Sequence, residues 1–231
     1  MSEITPAEWT AILLSLRVAV IATLVATPFG IALAWLLARY DFWGKSILDA
    51  AVHLPLVLPP VVTGYLLLLT FGRRGLVGAW LADHLGIVFA FRWTGAALAC
   101  GVMSFPLLVR PIRLSIEAID RRLEQAAGTL GAAPWRVFAT ITLPLALPGV
   151  LAGMVLGFAK AIGEFGATIT FVSNIPGETQ TISSAIYSLI STPDGDTAAL
   201  RLVVVSVLIA LAALIGSEWF ARRATRRLHG N

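Results

Sequence analysis

Long apolar runs separated by short charged passages set the plan of this chain. From Val18 to Ala38 there are 21 residues without a charge. As a helix that is about 30 Å, enough to cross the hydrocarbon core of a bilayer. Spans are predicted over about residues 9–38, 47–71, 94–114, 145–171 and 200–220. No alternation of apolar and polar residues recurs in segments of strand length, so a β-barrel is not expected. Pro28-Phe29-Gly30 is placed to kink the first span. In the second, Pro55, Pro59 and Pro60 cannot all occupy a regular helix interior. That segment either borders a translocation path or is a kinked helix that only packs. The amphipathic run Leu76 to Phe91 suits the membrane interface, and Ile182 to Ile190 is too short to span, which suits a re-entrant or gating helix.

One passage breaks the pattern. Glu117 to Pro144 carries Arg121, Arg122 and Arg136 with Glu117, Asp120 and Glu124, between two apolar blocks. A short helix is predicted from Leu123 to Leu130, stopping at Gly131, and then an amphipathic run into Leu143-Pro144. Such a loop can seat a helix in a partner's groove and pass rigid motion to the spans. The plainer alternative is an interfacial linker with solvated charges.

Composition agrees with the pattern. The chain is 58% hydrophobic and 13% charged, against about 25% charged in soluble domains. Charge is scarce because lipid-facing surface carries it at high cost. The N-terminal segment has acids and no cation, and the apolar block after it is too long for a signal-peptide core, so it is read as a retained first span. The expectation is an all-α integral membrane protein, residues 1–231 forming one transmembrane domain.

The charges then orient it. Fifteen of the 17 cations are Arg, clustered at the ends of apolar blocks, which is a membrane pattern and not a nucleic-acid footprint. With five spans, eleven cations fall on the side of residues 39–45, the polar loop and the tail (Arg222, Arg223, Arg226, Arg227), and at most five on the other. The polar loop and C-terminus are therefore expected in the cytoplasm and the N-terminus outside. A sixth span made from residues 177–191 would break that bias, so five is preferred to six.

Candidate chemistry is sparse. Gly44-Lys45-Ser46 resembles the end of a P-loop, but Arg39 stands where the first glycine is needed. Cys100 has no partner for a disulfide, and His53, His84 and His229 are scattered. Neither a catalytic set nor a metal or cofactor site is expected. Gly149, Gly153 and Gly157 form a stripe continued by Ala161, predicting close helix packing within the chain or across a dimer. Lys160 and Glu164 are spaced i,i+4 in the same block, either as an intrahelical ion pair or as a gate.

Ala126-Ala127, then three residues, Gly131, then nine residues and Ile141-Thr142-Leu143-Pro144, resembles the EAA loop of bacterial ABC importer permeases. Gln125 stands in the family's Glu position, with Glu124 one residue earlier. Beyond the loop, HLPLVLPPVVTGYLLL, FGRRG, VMSFPLLVR and GEFGATITFVSNIPGETQT resemble the molybdate permeases of that family, with sulfate and tungstate permeases sharing the fold and some motifs. The resemblance implies a type I importer. Two permease chains would form the channel, two cytoplasmic ATPase subunits would receive the loops, and a periplasmic binding protein would deliver the oxyanion. The coupling residues it implies are Glu124, Gln125, Ala126, Ala127, Leu130 and Gly131. Thr63, Ser104, Thr168 and Thr170, with Glu164, are candidates for the path, because passage needs sites weak enough to leave. A secondary transporter working alone would favour inverted repeats, and the halves show none.

Overall fold

The computed structural model describes residues 4–228, with side chains through residue 216. The side chains of the four tail arginines lie outside the described residues, as does His229. Every regular element among the described residues is a helix. α1 is Pro6–Arg39, α2 Lys45–Val57, α3 Pro60–Phe71, α4 Leu76–Leu85 and α5 Trp93–Glu117. They are followed by α6 Arg121–Thr129, α7 Pro134–Val137, a π-helical turn Phe138–Thr142 and α8 Leu143–Ile162. α9 Gly166–Val172, α10 Ile182–Ile190 and α11 Asp196–Leu228 complete it. Among the described residues four helical runs are long and apolar enough to cross a membrane, and a fifth if α2 and α3 count as one broken span.

α1 shows the logic of the fold. Its inward face mixes the buried small residues Ala11, Ala19, Ala22 and Ala34 with Ile12, Val18 and Leu37, while Leu13, Leu24, Val25 and Phe29 are exposed. Exposed large apolar groups suit a helix whose solvent is lipid, and the buried alanines let its neighbours approach closely. α1 begins with a full capping box, Thr5 accepting from the Glu8 amide while the Glu8 carboxylate accepts from the Thr5 amide. Glu8 also takes Arg201 of α11 at 2.8 Å, which joins the starts of α1 and α11. Arg17 lies with its guanidinium 3.8 Å from the centre of the Trp93 ring, at the start of α5.

These pairings set helix directions. Trp93 meets Arg17 near the start of α1, whereas Ile119, just past α5, accepts from Arg39 at the end of α1. α1 and α5 thus run parallel. Arg17 and Arg39 are about 33 Å apart along the helix, so the chain from α2 to α4 must return that distance. α8 runs antiparallel to α5, since Gly149 faces Pro111 and Ser115 while Gly157 faces Leu108 and Ser104.

Two expected spans differ from a single rod. Over residues 47–71 the chain forms two helices bent by 115°. Leu58 is extended because a residue before proline is pushed out of the helical region, and Pro60 then starts α3. The block expected to run over residues 145–171 stops at Ile162 and restarts as α9. Lys160 and Glu164 do form an ion pair, at 2.7 Å. Glu164 also accepts from the Ala167 amide at 3.0 Å, so one carboxylate bridges the last turn of α8 and the first turn of α9. Both contacts complement the helix ends electrostatically.

Candidate functional site

The polar loop folds as three linked pieces. Asp120 caps α6 by accepting from the Arg122 amide at 2.9 Å. The helix closes at Gly131, whose φ of +85° favours glycine, with the Ala132 amide bonded to the Ala127 carbonyl at 3.1 Å. Pro134 then starts α7, and the backbone continues without a break through the π turn into α8, a run of 29 residues. The second half of the loop is therefore the first part of a membrane span.

α6 is held to its own chain on one side. The Glu124 carboxylate accepts from Arg39 Nε and Nη2 at 3.2 and 3.1 Å and from the Thr142 hydroxyl at 2.6 Å. The two charged side chains are 8% and 18% exposed, so solvent screens this pair little. Arg121 adds a bond to the Ala38 carbonyl at 3.2 Å. Beneath, Trp35 stacks edge-on against Tyr40 and Phe138. A cavity of about 350 Å³ lies among these groups, with Gln125 and Gly128 on its wall. Asp41, in the connection before α2, has its carboxyl held below the usual range by a hydrogen bond from Lys45 and by the nearby charge of Arg121.

On the other side α6 is bare. Leu123 is 50% exposed and Leu130 88%, and Ala126 is exposed between them. Residues 123, 126 and 130 share one helix face. Trp135 is exposed just beyond. Of the expected coupling residues, Ala126, Leu130 and Gly131 are exposed, Gln125 is exposed at the wall of the cavity, Ala127 is half-buried, and Glu124 turns back into the chain. Its partners Arg39 and Thr142 were not foreseen; Arg39 is 85 residues away and no local pattern announces the pairing.

The expected path residues divide. Thr63 on α3 and Thr168 and Thr170 on α9 lie where these two helices cross at close range: a Cβ on Gly64 would sit 2.5 Å from the Ala167 carbonyl oxygen. Thr168 and Thr170 donate to carbonyls of their own segment at 2.8 Å. The Thr63 hydroxyl is buried without a hydrogen-bond partner. Glu164 opens the same element. Ser104 stands apart, on α5 against α8, bonded to the Gly101 carbonyl at 3.2 Å. The glycine stripe packs within the chain: a Cβ on Gly153 would lie 2.5 Å from the Leu108 carbonyl oxygen, and one on Gly149 2.7 Å from that of Pro111. Among the described residues no group of three His, Cys, Asp or Glu converges as a metal site would.

Residues 26–226 match the model of the binding-protein-dependent transport system inner membrane component family. The chain belongs to that family. It is a multi-pass inner membrane protein, the translocating part of an ABC importer, with ATP hydrolysis performed by a partner ATPase. The molybdenum transport system permease protein ModB of Escherichia coli K12 is 61% identical over 224 residues, 97% of this chain and 98% of that one. ModB of Haemophilus influenzae is 58% identical over 221 residues, 96% of each. Among solved structures, a chain of a bacterial alginate ABC transporter, in complex with its alginate pentasaccharide-bound periplasmic protein, superposes with a TM-score of 0.75 at 20% identity, covering 96% of this chain and 81% of that one. That likeness concerns the fold.

Proposed function

We propose that this permease moves molybdate into the cytoplasm as a homodimer, with two cytoplasmic ATPase subunits and a periplasmic oxyanion-binding protein. The observation that carries the reading is the 61% identity to a molybdenum permease over nearly the whole of both chains. Residues 1–231 act as one domain, with the N-terminus in the periplasm and residues 117–144 and the C-terminus in the cytoplasm. The bare face of α6, with Leu123, Ala126 and Leu130, seats in a groove of the ATPase. Gly131 lets the chain turn after it. Glu124 is a positioning residue: it ties α6 to α1 and to the π turn, so a displacement of α6 moves those elements together. The continuous helix from Pro134 to Ile162 carries the displacement into the membrane, and the glycine stripe binds α8 to α5 so that they move as one body. ATP binding turns the pair of permeases outward and hydrolysis returns it. The cargo meets neutral hydroxyls, Thr63 among them, which can hydrogen-bond an oxyanion without trapping it.

Uptake of radiolabelled molybdate decides this, in cells lacking their own molybdate permease and supplied with this chain, its ATPase and its binding protein. Uptake should appear, require the ATPase, and compete with tungstate but not with a large excess of sulfate. Competition by sulfate would make this a sulfate permease. Uptake without the ATPase would make it a secondary transporter.

A further inference from the structure

A groove of about 580 Å³ lies between α1, α2 and α5. Its walls are apolar, with Val25 and Phe29 of α1, Val52 of α2, and Ala97, Gly101 and Phe105 of α5. Along α5 it runs from Trp93 to Phe105, about 18 Å of helix. That is close to one leaflet's share of a hydrocarbon core of about 30 Å. Val52 and its neighbours on α2 stand toward the end of α1 and α5, as the Asp49–Arg113 ion pair at 2.9 Å requires. Trp93 marks the other end, where the chain meets the headgroup region. Arg17 lies on the Trp93 ring there, exposed, and Arg92 follows it on the exposed surface. Among the described residues no carboxylate pairs with Arg17 or Arg92, in contrast to Arg39, Arg113 and Arg201.

An apolar slot one leaflet long, with an unneutralised guanidinium at its mouth, complements one class of molecule. We propose that the groove is a binding site for an anionic phospholipid, an acyl chain lying along Gly101 and Phe105 and the phosphate against Arg17. The ring under Arg17 holds the guanidinium at headgroup depth and leaves its edge N–H groups for phosphate oxygens. A helix of a second copy would fill the apolar wall equally well, but the positive mouth favours an anion. The site does not depend on which oxyanion the protein carries.

Gly101 offers a clean handle, because a Cβ there meets nothing closer than 3.9 Å. The test is native mass spectrometry of the full chain, purified from micelles containing equal phosphatidylglycerol and phosphatidylethanolamine and then stripped of loosely held lipid. The wild-type chain should keep one phosphatidylglycerol in preference to phosphatidylethanolamine. Gly101→Leu should keep neither, while Gly101→Ala keeps the wild-type pattern. Arg17→Gln, on the exposed surface, should lower the preference for the anionic lipid about fivefold, the effect of one basic residue at a membrane surface, and Arg17→Lys should restore most of it. Equal retention by Gly101→Leu and the wild type would overturn the proposal, as would a wild-type chain without headgroup preference. So would disulfide formation between two copies carrying Val25→Cys, which would assign the groove to a second chain.

Discussion

Thr63 and Glu124 are two polar groups in opposite situations, one without a hydrogen-bond partner and one with several. The Thr63 hydroxyl is buried and unpartnered in the resting chain. Leaving a hydroxyl in that state costs about 1–3 kcal/mol. Thr63→Val keeps the shape and removes the cost, so thermal unfolding in detergent should shift upward or stay unchanged. If the hydroxyl serves the passing oxyanion, uptake should nonetheless fall severalfold; unchanged uptake would remove Thr63 from the path. Glu124 behaves in the opposite way. Glu124→Gln leaves Arg39, 8% exposed, without its counter-charge, and should destabilise the chain by about 2 kcal/mol. The double variant Arg39→Gln/Glu124→Gln should recover part of that loss, since no unpaired charge remains, and a thermal-melt cycle over the four chains measures the coupling. Gln125→Glu, at an exposed position, should leave stability within about 0.5 kcal/mol of the parent.

At the scale of the elements, the π turn Phe138–Thr142 joins the polar loop to α8. A π turn holds one residue more than the α-helical path and so takes it up without turning the helices on either side. One further alanine inserted after Ala139 exceeds what the turn can take up, and α6 and α7 would rotate by about 100° relative to α8 and draw Glu124 away from the Thr142 hydroxyl. The spans should still assemble, because the α5–α8 contact lies beyond the insertion. ATPase activity should continue without molybdate uptake, and an insertion chain that transports normally would show that the register of this turn carries no coupling. The turn was invisible in the sequence because FATIT has no proline or glycine and suits either helix. By contrast the bend near Pro59 and Pro60 and the break of α6 at Gly131 were legible, as both rest on local steric rules. The break after Ile162 was not: no proline marks it, and Glu164 spans it by accepting from the Lys160 ammonium on one side and the Ala167 amide on the other. The short helix of the polar loop was readable from the sequence, while its anchor to Arg39 was not, since a pairing across 85 residues exists only once α1 and α5 lie parallel.

The whole molecule has two ends, and their assignment decides what the loop can touch. Glu8, Arg17, Trp93 and Arg201 gather at one end, Arg39, Ile119, Glu124 and Thr142 at the other. This arrangement demands that the bent pair α2–α3 carry the chain back across, although neither helix alone is long enough to span. Three exposed positions test that demand. Trp43, between α1 and α2, is 97% exposed, Leu76, after α3, 94%, and Leu130, after α6, 88%. The native Cys100 is 1% exposed, so it contributes little background to thiol labelling. With a membrane-impermeant maleimide, Leu76→Cys should react when only the outer membrane is opened. Trp43→Cys and Leu130→Cys should react only after the inner membrane is permeabilised. If Trp43→Cys and Leu76→Cys react from the same side, α2–α3 is a re-entrant pair, the count falls to four spans, and both termini share a compartment. If all three patterns invert, the bare face of α6 points into the periplasm, and the excess of arginine at that end does not set the topology. The expected pattern requires both features together, because only a complete return through α2–α3 brings α5 parallel to α1 and places α6 beside Arg39.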